Sequence, residues 1–253
     1  MSKRAVVLAG GKGSRLGPYT TVLPKPLLPV GDRAILDVVV RQLRACGFSD
    51  LTMAVGYLSH LVRAVMSDGS DHGVAIDYHE EDRPLGTVGP LATIDRLDDT
   101  FLMMNGDVLT SLDYGALYEL HRAAGNVLTV ASHRRTVNID YGVLHLDGGP
   151  AEVRRIAGFE EKPELGYVVS MGVYMLEPRA LDFVEPGEYM DLPELVLRLI
   201  DAGEPVGSHV FDGYWLDIGR HDDYERAIEE YEQLKPLLLP DETALTATAE
   251  VVR

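Results

Sequence analysis

Residues 9–16 read Ala-Gly-Gly-Lys-Gly-Ser-Arg-Leu. Gly10, Gly11 and Gly13 let backbone amides approach an anion closely and point at it together. Ser14 follows, and Arg15 adds a planar fork suited to phosphate oxygens. Ten residues on, Lys25 stands between Pro24 and Pro26. The prolines restrict the backbone, so this lysine is a pre-aimed point charge for phosphate. Asn105-Gly106-Asp107 and Trp215-Leu216-Asp217-Ile218-Gly219 each set a carboxylate between apolar residues and glycine. Two carboxylates plus phosphate oxygens make an oxygen-only site suited to Mg2+. A single aspartate among 40 acids is far more often a solvated surface group, so residue type alone does not make a ligand of either.

Two familiar phosphate motifs compete for the glycine loop. A P-loop needs Gly-x-x-x-x-Gly-Lys-Ser/Thr, and here the lysine precedes the glycine. A dinucleotide fingerprint needs Gly-x-Gly-x-x-Gly; Gly11 and Gly13 fit, but the third position is Leu16. Gly-Gly-x-Gly alone is as readily a plain turn. The adjoining Arg15 and Pro-Lys-Pro argue against that.

Strands and helices must bring these distant residues together. Segment 4–9 is short, β-branched and apolar, as a buried parallel strand would be. The stretch after the loop carries Pro18, Pro24, Pro26 and Pro29 and cannot be a helix interior. Residues 35–46 have helical spacing, with Leu36, Val39, Val40 and Leu43 on one face and Gly47 to end it. Further strands are expected at 51–55, 75–78, 101–104 and 127–131. Helices are expected at 59–66, 114–124 and 88–97, the last with Pro90 in its first turn. The alternation predicts an α/β fold with a doubly wound, mostly parallel, Rossmann-like sheet. Ligands of such sheets sit at the strands' carboxyl ends, where the loops after Ala9 and Met104 both fall. The second half is strand-dense at 142–146, 153–159 and 168–176, then helical at 192–201 and 221–234. A single domain over 1–234 is expected, with 235–253 a weakly patterned tail that packs as an arm or is partly loose.

Lys plus Arg number 23 against 40 Asp plus Glu, a net charge of −17. Such a chain repels nucleic acid and anionic membranes, so neither is an expected partner. Phosphates must be held by local cations, backbone amides and a metal against the global field. No apolar run approaches the ~20 residues needed to span a bilayer. The N-terminal apolar run is too short for a signal-peptide core. The one cysteine, Cys46, excludes an internal disulfide framework and fits a reducing compartment, so a cytoplasmic location is expected.

The loop and its Pro-Lys-Pro resemble the signature of the NDP-sugar pyrophosphorylases, the sugar-1-phosphate nucleotidyltransferases. That signature is Gly-Gly-x-Gly-Ser/Thr-Arg-Leu, then Pro-Lys-Pro and a short apolar end; it stands here at 10–16 and 24–30. The resemblance covers about residues 4–230 and is nearest to mannose-1-phosphate guanylyltransferase-like members without a β-helix domain. Gly17 departs from it, where an arginine or another bulky residue is common. No hexapeptide repeat is present, so a β-helix module is not expected. The resemblance implies a nucleotide-diphospho-sugar transferase-like fold, with about 1–135 binding nucleotide and 136–234 binding sugar phosphate. It implies that Leu8, Gly10, Gly11, Gly13 and Ser14 bind the nucleotide. Arg15, Lys25 and Lys162 become the catalytic cations, and Asp107 and Asp217 the Mg2+ ligands.

Two further segments take their meaning from the resemblance. Residues 79–87, His-Glu-Glu-Asp-Arg-Pro-Leu-Gly-Thr, taken alone are an acidic solvated loop; in the family they read the base, with Gly86 and Thr87 as its Gly-Thr. Pyrimidine-using relatives tend to have glutamine five residues before that glycine, where this chain has Glu81. A carboxylate accepts guanine's adjacent N1–H and N2 donors, whereas it would face a carbonyl lone pair of uracil or thymine. Charged hydrogen bonds contribute ~1.5–3 kcal/mol each, so GTP is the expected triphosphate, with Glu80 as the alternative reader. Glu161 and Lys162 match the family's Glu-Lys-Pro, in which the acid takes sugar hydroxyls and the lysine the sugar phosphate. Gly142 matches a backbone contact to sugar, and Trp215 a sugar-side residue. Ser170 stands where users of glucose or mannose 1-phosphate often have asparagine, so a heptose, amino sugar or cyclitol phosphate stays open.

The reaction implied is attack of a sugar 1-phosphate on the α-phosphorus of the triphosphate, with pyrophosphate leaving. UTP, dTTP or CTP in place of GTP is the nearest alternative. A catalytically silent, nucleotide-sugar-binding regulator is a rival, though such a chain should have lost one of Arg15, Lys25, Asp107, Lys162 or Asp217. A dinucleotide-dependent oxidoreductase lacks its third glycine. Oligomeric state is not fixed by the sequence; members of the family are commonly dimers or tetramers.

Overall fold

A computed structural model describes residues 2–148 and 154–240. Its elements are β1 (Lys3–Ala9), β2 (Pro29–Val30), β3 (Arg33–Ala34), α1 (Ile35–Ala45), β4 (Phe48–Val55), α2 (Ser59–Met66), β5 (Ala75–Glu80), β6 (Phe101–Asn105) and β7 (Val108–Thr110), followed by α3 (Tyr114–Ala124), β8 (Leu128–Asn138), β9 (Val143–Leu146), β10 (Ile156–Glu160), β11 (Glu164–Leu176), α4 (Leu192–Asp201), β12 (Val206–Val210), β13 (Trp215–Asp217) and α5 (His221–Leu238). Seven strands form one sheet in the order β12-β8-β11-β6-β1-β4-β5. Every neighbouring pair is parallel except the two made by β11. The expected mostly parallel α/β sheet is therefore present, with one reversed strand inserted beside β6.

The apolar run of β1 is explained by its place near the middle of the sheet. Ala5, Val6 and Val7 are wholly buried, as a strand covered on both faces requires. One face packs on α1, α2 and α3 through Leu36, Val39, Leu43, Val62 and Leu117. The other packs on α4 and short turns through Val88, Leu91, Leu195 and Leu199. A third cluster, with Leu16, Leu28, Val30, Leu216, Ile218, Tyr224 and Tyr231, ties α5 to the glycine loop and to β13.

The helix expected at 88–97 does not form. Only one 3-10 turn, Gly89–Thr93, is made, and Ile94 is already extended. The Val88 and Gly89 N–H groups donate to the Met190 carbonyl at 3.0 and 3.3 Å, so this backbone is satisfied by another segment rather than by a second helical turn. Helix α5 runs one turn past the expected end at Leu234, with Pro236 inside it. Tertiary contacts hold that turn: Gln42 Nε2 donates to the Leu238 carbonyl at 3.0 Å, Lys235 pairs with Asp32 at 2.9 Å, and Leu238 and Leu239 are buried. Residues 241–253 of the tail and Val153 of the 153–159 segment lie outside the described residues.

Candidate functional site

In the sheet β1 and β6 are neighbours, with Leu8 opposite Asn105. The glycine loop and Asn105-Gly106-Asp107 therefore leave the same edge, as the strand pattern predicts. The Gly106 N–H donates to the Leu8 carbonyl at 2.9 Å, which locks the two turns together. The loop closes in a 3-10 turn, Ser14–Leu16, with Leu16 buried and Gly11, Ser14 and Arg15 exposed. Gly13 has φ +59°, and a Cβ there would lie 3.1 Å from the Lys25 Cβ. Neither that dihedral nor that space suits a side chain.

Lys25 opens a 3-10 turn, Lys25–Leu27, with Pro26 inside it. It is only 9% exposed, and its ammonium pairs with Asp107 Oδ2. The other oxygen, Asp107 Oδ1, is buried and has no hydrogen-bond partner. Strand β13 pairs antiparallel with β7, setting Asp217 opposite Val108, and the Ile218 N–H donates to the Asp107 carbonyl at 3.3 Å. A short ladder thus joins two acids that are remote in sequence. Burial pushes the Asp217 carboxyl up and the neighbouring Asp107 charge adds to this, while Lys25 and Arg15 pull it back down. The Arg15 guanidinium stands 3.8 Å from where a side chain at Gly219 would begin. Arg15, Lys25, Asp107 and Asp217 therefore share one electrostatic neighbourhood. Among the described residues no three His, Cys, Asp or Glu side chains gather in a metal-ligating group. A cation held here has two protein carboxylates, one with an unpartnered oxygen, and must draw its other ligands from water and phosphate. Mg2+ fits such a donor set.

The segment expected to read the base forms its own cluster. Leu85 N–H donates to Glu81 Oε2 at 2.7 Å, and burial pushes the Glu81 carboxyl up against that bond. Glu80 turns away to helix α2, accepting from Ser59 Oγ at 2.7 Å and Arg63 at 3.2 Å, and so does not join Glu81. Gly86 has φ +81° and lies against the Met190 carbonyl, where a side chain has no room. Thr87 is built into the start of α4. Its N–H donates to Asp191 Oδ1 at 3.0 Å, and its Oγ1 accepts from the Leu192 N–H at 2.9 Å.

In the strand-dense lobe, β9 and β10 pair as a separate two-stranded sheet. Gly142 backs onto the Phe159 ring and the Glu161 carboxylate, so the two segments expected on the sugar side are neighbours. Glu161 and Lys162 are exposed, and Lys162 takes φ +47°, a conformation uncommon for a residue with a side chain. Among the described residues neither makes a hydrogen bond or ion pair to the carboxylate pair. Ser170 sits where the pairing of β11 with β8 is interrupted between Ser170 and Tyr174. Its Oγ shares a hydrogen bond with the Tyr174 hydroxyl at 2.8 Å and accepts from the Gly172 N–H at 3.3 Å. Burial pushes the Tyr174 hydroxyl up, and the Asp217 charge adds to this. The Trp215 indole N–H donates to the Met171 carbonyl at 3.0 Å, and its ring lies beside His133 at 5.4 Å and under the Arg135 guanidinium at 5.6 Å. Trp215 thus fixes the bulge that carries Ser170.

Sequence reasoning missed Asp191, Tyr174, His133 and Arg135. Each reaches the site through strand or loop pairing between remote segments, and no local spacing marks any of them. Two cavities, of about 540 Å³ beside Leu91 and Leu181 and about 310 Å³ beside Arg4 and His79, include none of the loop, Lys25 or the carboxylates. Both are open depressions at the surface, and the candidate site is defined by converging side chains rather than by either of them. No helix among the described residues is long and apolar enough to cross a membrane.

The chain is 31% identical over 245 residues to a UTP–glucose-1-phosphate uridylyltransferase of Synechocystis, covering 89% of this chain and 62% of that protein. It is 31% identical over 232 residues to a mannose-1-phosphate guanyltransferase of Yarrowia lipolytica, covering 87% of this chain and 62% of that one. The chain thus spans a little under two thirds of the length of these relatives. Among solved structures, HddC from Yersinia pseudotuberculosis complexed with GMP-PN superposes with a TM-score of 0.68 at 22% identity, covering 90% of this chain and 99% of that one, a likeness of fold. The Nucleotidyl transferase family model matches residues 4–234, from the first strand to within α5, and the chain belongs to that family.

Proposed function

We propose that this protein joins a nucleoside triphosphate to a sugar 1-phosphate, forming an NDP-sugar and releasing pyrophosphate, with GTP as the preferred triphosphate. The observation that carries this reading is the convergence of Arg15 and Lys25 on the paired carboxylates Asp107 and Asp217 at one sheet edge. The relatives named above act on sugar 1-phosphates with UTP or a guanosine donor, as their names state.

The chemistry is an in-line displacement at the α-phosphorus by a phosphate oxygen of the sugar 1-phosphate. That oxygen is already ionised, so no general base is required. Positioning and charge neutralisation supply most of the rate in such transfers. The glycine-loop amides and Ser14 hold the triphosphate, and Arg15 balances the charge that grows on the departing pyrophosphate. Lys25 and Lys162 draw the two anionic reactants together, Lys25 from the triphosphate side and Lys162 from the sugar side. Glu161, the Gly142 backbone and the Ser170 bulge hold the sugar. Mg2+ bound at Asp107 and Asp217 would neutralise phosphate charge. For the base, Glu81 keeps acceptor capacity beyond its bond from Leu85, because a carboxylate has about four lone-pair sites.

A pyrophosphate-release assay over a panel of triphosphates and sugar 1-phosphates tests the reading. Pyrophosphate should appear only when both substrates are present, fastest with GTP. No release with any pair would refute it. One observation favours a second reading: the Leu85 bond gives Glu81 a structural task, which is compatible with a pyrimidine triphosphate read by other groups. UTP or dTTP outpacing GTP would establish that version.

A further inference from the structure

The Lys25 ammonium lies on one oxygen of a carboxylate that the proposed function gives to a metal. The Lys25 and Asp107 side chains are only 11% and 18% exposed, so little water screens the pair. The base of the lysine is fixed, so its ammonium reaches only partners close to this carboxylate and the glycine loop. Its backbone is set in a turn between prolines, and its Cβ is packed beneath Gly13. Asp217 is brought beside the pair by the ladder of β13 with β7 and by the bond from the Ile218 N–H to the Asp107 carbonyl at 3.3 Å. The lysine is therefore the counter-charge that lets two carboxylates stand side by side. A divalent ion taking Asp107 must share that carboxylate with an ammonium, and two cations on one carboxylate repel.

We propose that Lys25 is a placeholder cation that makes the metal seat weak until a triphosphate arrives. Phosphate oxygens entering beside the glycine loop give the ammonium a new partner. Asp107 is then released to the metal, so metal and triphosphate bind as a coupled pair rather than independently. Because coupling between two ligands is reciprocal, the metal must strengthen triphosphate binding by the same factor. This inference rests on the proposed Asp107–Asp217 metal site and adds a role for Lys25 that phosphate binding alone would not give it.

Mn2+ alone is the probe, with free ion counted by paramagnetic resonance on the full chain without nucleotide. Lys25→Met keeps the stem and removes the charge, with Lys25→Gln as a second variant should the first fail to fold. Both should bind Mn2+ at least tenfold more tightly than the wild type. In a second measurement, the ratio of fluorescent-GTP affinities with Mn2+ and with EDTA should fall at least tenfold in the same variants. A lysine that merely contacts phosphate would weaken nucleotide binding but leave Mn2+ binding unchanged; that result, or weaker Mn2+ binding in the variants, overturns the placeholder role while the metal site stands. If Mn2+ binds neither the wild type with GTP nor the variants, or binds equally well to Asp107→Asn, the metal reading falls and the inference with it.

Discussion

The two acids of the carboxylate pair should have the same effect on rate and opposite effects on stability. Asp107 is the partner of a buried ammonium, whereas Asp217 is a carboxylate held close to another of like charge. In Asp107→Asn a charged bond to Lys25 becomes a neutral one. Charged hydrogen bonds contribute ~1.5–3 kcal/mol against ~0.5–1.5 for neutral ones, so the expected loss is about 1–2 kcal/mol, trimmed by relief of repulsion at Asp217. At about 2–4 °C per kcal/mol for a chain of this size, Tm should fall by roughly 2–8 °C. In Asp217→Asn the burial penalty and the repulsion both vanish, so Tm should rise. The pH dependence follows from the direction of the shift. A carboxyl raised in the folded state binds its proton more tightly there than in the unfolded chain. Stability is therefore lost as pH rises from the ordinary carboxylate value through the raised one, and Asp217→Asn should remove that slope. Turnover should drop at least ~100-fold in both variants, the order seen when one charge-stabilising group is deleted from an active site. Differential scanning calorimetry from acid to neutral pH, without divalent ions and at low salt, reads the stabilities. Tm shifts of the same sign in both variants would refute the charge arrangement inferred for the pair.

Arg15→Ala should cut kcat by ~10³–10⁵, as for other phosphate-directed arginines, with a much smaller rise in triphosphate Kd; unchanged turnover at saturation would make Arg15 a ground-state anchor only. Trp215→Phe keeps an aromatic ring but removes the N–H donor to the Met171 carbonyl, a loss of ~1 kcal/mol. If the indole positions the Ser170 bulge, steady-state kinetics should give a roughly fivefold higher KM for the sugar phosphate at near-constant kcat. Glu81→Gln should lose activity with GTP and gain relative activity with UTP or dTTP, with inosine triphosphate falling between GTP and the others in the wild type. A GTP-to-UTP ratio unchanged within about twofold would leave Glu81 with only its structural bond to Leu85.

Much of the fold was legible because its signals are local. The buried strands advertised themselves as short apolar runs, and the helix expected at 114–124 forms as α3, with Asp113 at its start accepting from the Ala116 N–H at 2.9 Å. The segment at 88–97 misled because its apolar spacing serves a turn tied to 188–190, and periodicity cannot report a backbone bond to a remote partner. Strand β7 was illegible for a related reason. Three residues carry no period, and what makes Val108–Thr110 a strand is its ladder with Trp215–Asp217. The same ladder sets the geometry of the proposed metal site, so the sequence could name both acids but not the element that joins them. Leu85 as the partner of Glu81 was equally hidden, since a loop that folds back on itself has no pattern at all.

The charge balance gives the local cations their significance. In the proposed reaction a chain at −17 binds two polyanions that its own field repels, and screening over about 8 Å at physiological salt limits how far that field reaches. Within that range the outcome depends on a few groups. Lys25 is anchored by prolines and a glycine, Arg15 stands beside Gly219, and Lys162 projects from the lobe in a conformation its own side chain disfavours. Lys25 is held by its buried turn rather than left on a free stem, which lowers the entropy lost when a phosphate arrives, whereas Arg15 and Lys162 are exposed. Replacing Lys25 by arginine should therefore fail to restore function even though the charge is kept. The longer fork cannot fit beneath Gly13 and on Asp107 together, and near-normal turnover in Lys25→Arg would show that net charge, not placement, is what the site requires.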